Sequence, residues 1–264
     1  MRNKRTALLV STYNWPEALA LVFKSVEDQT LKPDEFLIAD DGSKPETTKF
    51  INDFKEKSGL NVIHVWHEDE GFKRSEILNK AIAKSTADYI IQTDGDCILH
   101  PKFIEDHVSF AKQGQYLFGS RVNIKEEYRD ELFKTKNTSF SFMHKGIKNR
   151  TRALHIPFLS TFYGVKEEPS KKLRGCNVSF WRADFISVNG YNESMTGWGR
   201  EDSELIIRMM NKGIKARRLR YRGIVYHIWH KVVSKERVNV NEEIQKKAIS
   251  EKLTWCENGI DTYL

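Results

Sequence analysis

"TALLVSTYNWPEALALVFKSVEDQTLKPDEFLIADDGS", residues 6–43, decides the fold. Thr6 to Thr12 is an almost unbroken apolar run, the mark of a strand buried on both faces. Asn14 is placed to cap a helix, with Pro16 in its first turn and Glu17 positioned to complete a capping box. That helix is expected to run to about Gln29. "EFLIAD" (35–40) then reads as a second buried strand. Strand, helix, strand implies a right-handed crossover and parallel pairing. Ligands of such sheets bind beyond the carboxyl ends of the strands. Those ends carry Ser11, Thr12, Tyr13 and Asn14 here, and Asp40 to Ser43 there.

The alternation continues outward. A helix is expected over 45–57, a strand over 61–66, a helix over 75–85 and a strand over 88–93. The last strand ends in Asp94-Gly95-Asp96-Cys97. Asp-Asp-Gly-Ser alone is also ordinary turn chemistry. Neither a G-x-G-x-x-G nor a G-x-x-x-x-G-K-[ST] follows any strand, which argues against a dinucleotide dehydrogenase or a P-loop enzyme. D-G-D at a strand end suits a different device: hard carboxylate oxygens binding Mg²⁺ or Mn²⁺, which neutralises a diphosphate.

A second informative stretch lies far along the chain, "TGWGREDSELIIRMMNKG" (196–213). Leu205, Ile206, Met209 and Met210 recur at helical spacing, and Gly213 supplies a stop. Glu201 and Asp202 open that helix just after Trp198, which sits between two glycines. Taken alone, two acids there either complement the helix dipole or serve a site at the helix mouth.

Bulk properties exclude several classes. The chain has 264 residues, 39% hydrophobic and 30% charged, enough for one large α/β domain. No apolar stretch approaches the ~18–20 residues that span a membrane, and no signal-peptide pattern opens the chain. Cys97, Cys176 and Cys256 are too few and too far apart for a disulfide framework or a zinc cluster. A reducing cytoplasm is the expected compartment. Net charge is +7, with basic runs at 144–152, 171–174 and 215–222. Such runs are usually solvated surface, but the sum favours an anionic partner. No nucleic-acid-binding motif accompanies them.

Together these pieces resemble a known family. Residues 8–43 and "GFKRSEILNKAIAKSTADYIIQTDGDC" (71–97) are similar to the nucleotide-binding half of family-two glycosyltransferases. "RGCNVSFWRADFISVNGYNESMTGWGREDSEL" (174–205) resembles the C-terminal part of β-1,4-galactosyltransferases and chondroitin-type polymerases, where G-W-G-x-E-D recurs. The resemblance implies a glycosyltransferase A-type α/β fold with a mostly parallel central sheet flanked by helices. It implies one domain: residues 1–120 for the nucleotide-sugar, 121–240 on the acceptor side, 241–264 a C-terminal helix (near 242–254) and tail. Residues 121–173 carry no motif by which the resemblance extends to them. Their centre, "FSFMHKGIKNRTRALHIPFLSTF" (140–162), mixes aromatic and basic residues, so it is expected to face acceptor or membrane, or to form an ordinary amphipathic surface helix.

The same resemblance assigns roles. Ser11, Tyr13 and Asp41 match positions that hold base and ribose, and Arg74 a basic residue facing the nucleotide-sugar. Asp96 matches a direct ligand of Mn²⁺ or Mg²⁺, with Asp94 supporting the ribose or the metal shell. A histidine of "VYHIWHK" (225–231) completes that shell, His227 fitting better than His230. Asp202 matches the catalytic base and Glu201 an acceptor-sugar contact. Trp198 would close over the donor and stack on a sugar, with Gly197 and Gly199 as hinges. Arg200 stands where the galactosyltransferases have glycine and is expected to meet an anionic acceptor. The implied reaction is inverting transfer from a UDP-sugar to a glycan or glycolipid acceptor of a lipopolysaccharide, capsule or other surface polysaccharide. It would occur in the cytoplasm, in peripheral contact with the anionic inner membrane face. A nucleotidyltransferase acting on a sugar phosphate would also use metal-binding acids, but leaves G-W-G-R-E-D without a role. A non-catalytic nucleic-acid-binding protein would explain the charge, but not the strand-end acids.

Overall fold

A computed structural model describes residues 4–231 and 237–264. The first half alternates strand and helix: β1 (Thr6–Thr12), α1 (Pro16–Glu27), β2 (Glu35–Asp40), α2 (Pro45–Ser58), β3 (Val62–Trp66), α3 (Arg74–Lys84) and β4 (Tyr89–Asp94). β5 (Cys97–Leu99), α4 (Phe103–Phe110), β6 (Gln115–Gly119) and β7 (Arg121–Ile124) follow. Next come α5 (Arg129–Thr135), β8 (Ile147–Lys148), α6 (Pro157–Ser160) and β9 (Val165–Lys166). β10 (Val178–Trp181), α7 (Arg182–Ser187), α8 (Glu201–Asn211), β11 (Lys215–Leu219), β12 (Val225–His227) and α9 (Val238–Ser250) complete the order.

The main sheet runs β3-β2-β1-β4-β10-β6-β11-β9. β1 pairs in parallel with β2 and β4, β2 with β3, and β11 with β6. The expected parallel character therefore holds, with one element that local pattern did not reveal. β10 is inserted antiparallel between β4 and β6. Because both neighbours oppose β10, β4 and β6 point the same way, and their carboxyl ends share one edge with those of β1, β2 and β11.

Period-two alternation divides the core. Ala7 and Leu9 of β1 face a cluster containing Ile77, Leu78 and Ile82 of α3 and Leu205, Ile206 and Met209 of α8. Leu8 and Val10 face the opposite cluster, with Leu19, Val22 and Phe23 of α1. Each such side chain contributes roughly 1.5–3 kcal/mol on burial, which locks strand register, since a one-residue slip would exchange the two faces. The face expected from α8 is present, but α8 is buried on more than that stripe: Arg208 is fully buried, paired with Glu204 at 2.7 Å.

Four expectations need correction. Asn14 does not cap α1. Trp15 occupies that position without a side-chain bond, and Asn14 takes a left-handed φ of 48°. Its side-chain oxygen accepts the Lys44 N–H (2.7 Å) and its N–H donates to Ser43 Oγ (2.9 Å), so it ties the first strand end to the second. α9 begins and ends four residues early; left-handed Lys252 (φ 52°) follows its last turn. A second sheet, β5-β12-β7-β8, stands beside the first. Finally, 140–162 is not one amphipathic helix: β8, a 3₁₀ turn at Arg150–Ala153 and the four-residue α6 break it up. Phe140 and Ile147 of that stretch are core residues of the second sheet.

Candidate active site

The site is built on the shared carboxyl edge. β1 and β4 are in register with Ser11 opposite Asp94, and Ser11 Oγ donates to Asp94 Oδ1 at 2.9 Å. Arg74, the first residue of α3, donates to the same oxygen at 2.7 Å and to Glu201 Oε1 at 3.4 Å. One guanidinium thus joins the D-x-D turn to the mouth of α8. Burial opposes its charge, but Asp94 and Glu201 hold its pKa above the ordinary arginine value.

The second strand end is more enclosed than expected. Asp41 is buried, its Oδ1 pairing with His67 Nε2 at 2.8 Å and its Oδ2 accepting the Lys73 N–H at 3.1 Å. Burial pushes its pKa up, and His67 and the Lys73 N–H oppose that rise. Tyr13 is half exposed, its hydroxyl anchored to Asp69 Oδ2 at 2.8 Å, so the ring lies open beside Asp41. Gly42 is required here: at φ 90°, a Cβ would lie 2.6 Å from the Asp69 backbone. His67 and Asp69 follow β3, a strand end that none of the motifs marks. The rule that directs attention to strand ends would have found them.

Asp96 meets both histidines. β12 pairs antiparallel with β5, His227 opposite Cys97. His227 Nε2 lies 3.4 Å and His230 Nε2 3.2 Å from Asp96 Oδ2. His230 Nδ1 bonds the Lys231 carbonyl at 2.7 Å, which fixes the ring with Nε2 toward Asp96. Burial lowers the pKa of His227, opposed by Asp96, whereas the bond to Asp96 raises that of His230. One ligand atom from each of the three lies within 4.8 Å of the others. Carboxylate and neutral imidazole suit a divalent first-row metal, so the donor set fits the expected ion and includes both histidines.

Glu201 and Asp202 open α8 behind Arg200, whose φ of 78° turns the chain. Asp202 Oδ2 accepts the Gly175 N–H and its Oδ1 the Ser203 N–H, both at 2.7 Å. Buried Gln92 on β4 donates to the Gly175 carbonyl at 3.1 Å, which fixes that loop from beneath. Glu201 is buried, 8% exposed, and burial plus the Asp202 charge push it up to about 7, against the pull of Arg74. A carboxyl so enclosed and so wired is more than a dipole complement. Trp198 is 42% exposed. Gly197 and Gly199 both have positive φ (75° and 106°), and Asn241 of α9, fully buried, donates to the Thr196 and Gly199 carbonyls at 3.2 and 2.9 Å. Nothing in the local pattern marked Asn241. Arg200 turns to Glu242 of α9 at 3.4 Å, an exposed pair.

The chain matches the model of glycosyl transferase family 2 over residues 7–173 and that of the N-terminal domain of galactosyltransferase over 161–231. It is 23% identical over 223 residues to a chondroitin synthase of Escherichia coli, covering 78% of this chain and 32% of that one. Its fold is similar to that of S. aureus TarS (TM-score 0.65, 14% identity, 98% of this chain and 41% of that one). It is also similar to a Pyrobaculum calidifontis mannosyltransferase in complex with GDP-Man and Mn²⁺ (TM-score 0.62, 16% identity, 94% and 64%). The chain therefore spans about a third of the curated chondroitin synthase it matches. Fold and family agree with the expected A-type α/β architecture, and the nucleotidyltransferase and non-catalytic readings fall away. Because that family model matches residues 7–173, well over half of the chain, the chain belongs to glycosyl transferase family 2.

Proposed function

We propose that the protein transfers a sugar from a UDP-sugar to a glycan or glycolipid acceptor with inversion, in synthesis of a surface polysaccharide. One observation carries this reading. Arg74 bridges the D-x-D carboxylate Asp94 to Glu201, which ties the turn carrying Asp96 of the Asp96–His227–His230 cluster to the acid pair at the mouth of α8. The Mn²⁺ and GDP-Man bound by the mannosyltransferase, and the UDP bound by TarS, support a metal and a nucleotide-sugar here.

Residues 1–120 hold the donor, 121–240 form the acceptor side, and 241–264 are the C-terminal helix and tail. Tyr13 presents its open ring to uracil, Asp41 accepts a hydrogen bond from the uracil ring N–H, and Ser11, Arg74 and Asp94 orient the ribose and the sugar. Asp96 and His227, joined by His230, would hold Mn²⁺ or Mg²⁺, which neutralises charge on the departing diphosphate. Asp202 removes the proton from the acceptor hydroxyl. That oxygen attacks the anomeric carbon from the opposite face, and the bond to the diphosphate oxygen breaks as UDP leaves with the electron pair. The Gly175 N–H aims the Asp202 carboxylate. Glu201, its pKa raised by burial and the Asp202 charge, exchanges hydrogen bonds with the acceptor, and Trp198 covers the reacting sugar. Arg200 contributes to acceptor binding once its exposed pairing with Glu242 yields, since such pairs contribute only about 0–1 kcal/mol.

No helix of the described residues is long and apolar enough to cross a membrane. Exposed Phe158 and Phe162 (71% and 73%), beside basic residues, suit peripheral contact with the anionic cytoplasmic membrane face. The test of the central reading is a panel of UDP- and GDP-sugars with and without Mn²⁺. Metal-dependent release of UDP is expected; release of pyrophosphate, or nucleotide binding indifferent to metal, would refute it.

A further inference from the structure

Several arginines have conspicuous partners. Arg74 pairs with Asp94, Arg208 with Glu204 and Arg222 with Asp106. Five others do not. Among the described residues, no carboxylate forms an ion pair with Arg121, Arg152, Arg174, Arg218 or Arg220, yet these five converge. Arg152 Nη1 donates to the Arg121 carbonyl at 3.0 Å, and Arg218 Nη2 to Ser120 Oγ, also at 3.0 Å. Asn177 Nδ2 bonds the Ser120 and Gly223 carbonyls, which clamps the loop of Arg174 against the ends of β6 and β11. Arg218 Nε is buried without a hydrogen-bond partner. Burial lowers the pKa of Arg152, and the charges of Arg220, Arg174 and Arg121 lower it further; Arg218 is lowered by burial and then by Arg220. The guanidinium groups are neighbours that repel one another. A cationic cluster without acids is relieved by an anion, and the guanidinium fork fits carboxylate and phosphate.

Position selects which anion. Along the sheet, the base and ribose residues lie on β1 and β2, while the arginines lie at the ends of β6 and β11, beyond β10. Arg174 immediately precedes Gly175, whose N–H holds Asp202. The cluster therefore flanks Asp202 across β10 from the strand ends of β1 and β2, with Arg121 at its margin toward His227 and His230 and the other four arginines beyond it. We propose that Arg152, Arg174, Arg218 and Arg220 form a subsite for a carboxylate or phosphate group carried by the acceptor glycan, while the acceptor hydroxyl faces Asp202. This rests on the transferase reading above.

The test is calorimetry of wild type and the Arg152→Gln/Arg220→Gln double variant, with matched melting temperatures verifying the fold. The probes are hexagalacturonate, phosphorylated mannohexaose and plain mannohexaose. Both anionic probes should bind wild type, more weakly as salt rises and the charges are screened. The variant should lose about tenfold or more in affinity, the equivalent of one charge-assisted hydrogen bond. Plain mannohexaose should show neither effect, and Mn²⁺-dependent UDP affinity should be the same in both proteins. Anionic probes that bind the variant as tightly as wild type, or fail to bind wild type, overturn the proposal. A parallel loss of UDP affinity reassigns the arginines to the donor. Vesicles of phosphatidylglycerol whose flotation falls in the variant while probe affinity stands assign the cluster to a membrane. Absence of metal-dependent UDP binding by wild type instead defeats the transferase reading, a separate readout.

Discussion

Replacing Glu201 by Gln should stabilise the protein in alkali and leave it unchanged in acid. Glu201 is 8% exposed and pushed from an ordinary 4.5 up to about 7, burial and Asp202 outweighing Arg74. Between those two values the unfolded chain releases the proton while the folded chain keeps it. The folded state binds more protons there, so wild-type stability falls as pH rises through this window and levels off above about 7. At 1.36 kcal/mol per pKa unit, the plateau loss is about 3 kcal/mol. Gln keeps the size and the oxygen that accepts the Gly199 N–H (3.1 Å), but does not titrate. For a chain of this length, about 2–4 °C per kcal/mol puts the variant roughly 6–12 °C above wild type near pH 8, the two coinciding near pH 4. Differential scanning calorimetry across that range measures the offset. An offset that ignores pH, or a variant that melts lower near pH 8, would refute the assigned ionisation. Activity should move the other way, the acceptor KM rising at least as much as kcat falls, because a side chain that holds the acceptor is being weakened.

Asp202→Asn should retain the fold and UDP affinity but transfer sugar ~10²–10⁴-fold more slowly, the usual weight of a general base; near wild-type turnover would remove Asp202 from that role. Asp96→Ala should abolish Mn²⁺-dependent UDP binding in calorimetry. His227→Ala and His230→Ala should each weaken Mn²⁺, the former more, because His227 is the more enclosed of the two (side chain 13% against 35% exposed). Asn241→Leu leaves the Thr196 and Gly199 carbonyls short of donors, each such loss costing about 1–3 kcal/mol. It should lower the melting temperature and raise the acceptor KM, with UDP affinity unchanged. In flotation with anionic liposomes, Phe158→Ser/Phe162→Ser should bind less than wild type; equal flotation would exclude these rings from a membrane contact.

Local pattern carried the donor half because its signals are local. β1, β2 and β4 are apolar runs buried on both faces, Pro16 and Pro45 mark helix starts, and a parallel sheet presents its ligand groups where each run stops. Ser11, Tyr13, Asp41, Asp94 and Asp96 could therefore be picked out from the sequence, and the G-W-G-R-E-D stretch announced its acids. Only tertiary structure decided how these groups are wired. Arg74 joining Asp94 to Glu201 spans 127 residues, Gly175 holding Asp202 spans 27, and His67 closing on Asp41 spans 26. Periodicities of two or 3.6 residues do not encode such distances. The same reason hid β10, a four-residue strand recognised by its two neighbours rather than by its own pattern, and the arginines of β7, β11 and the 170s loop. Read singly, those arginines are solvated surface. Their meaning depends on a sheet that brings residues 121, 152, 174, 218 and 220 to one edge without a carboxylate partner among the described residues.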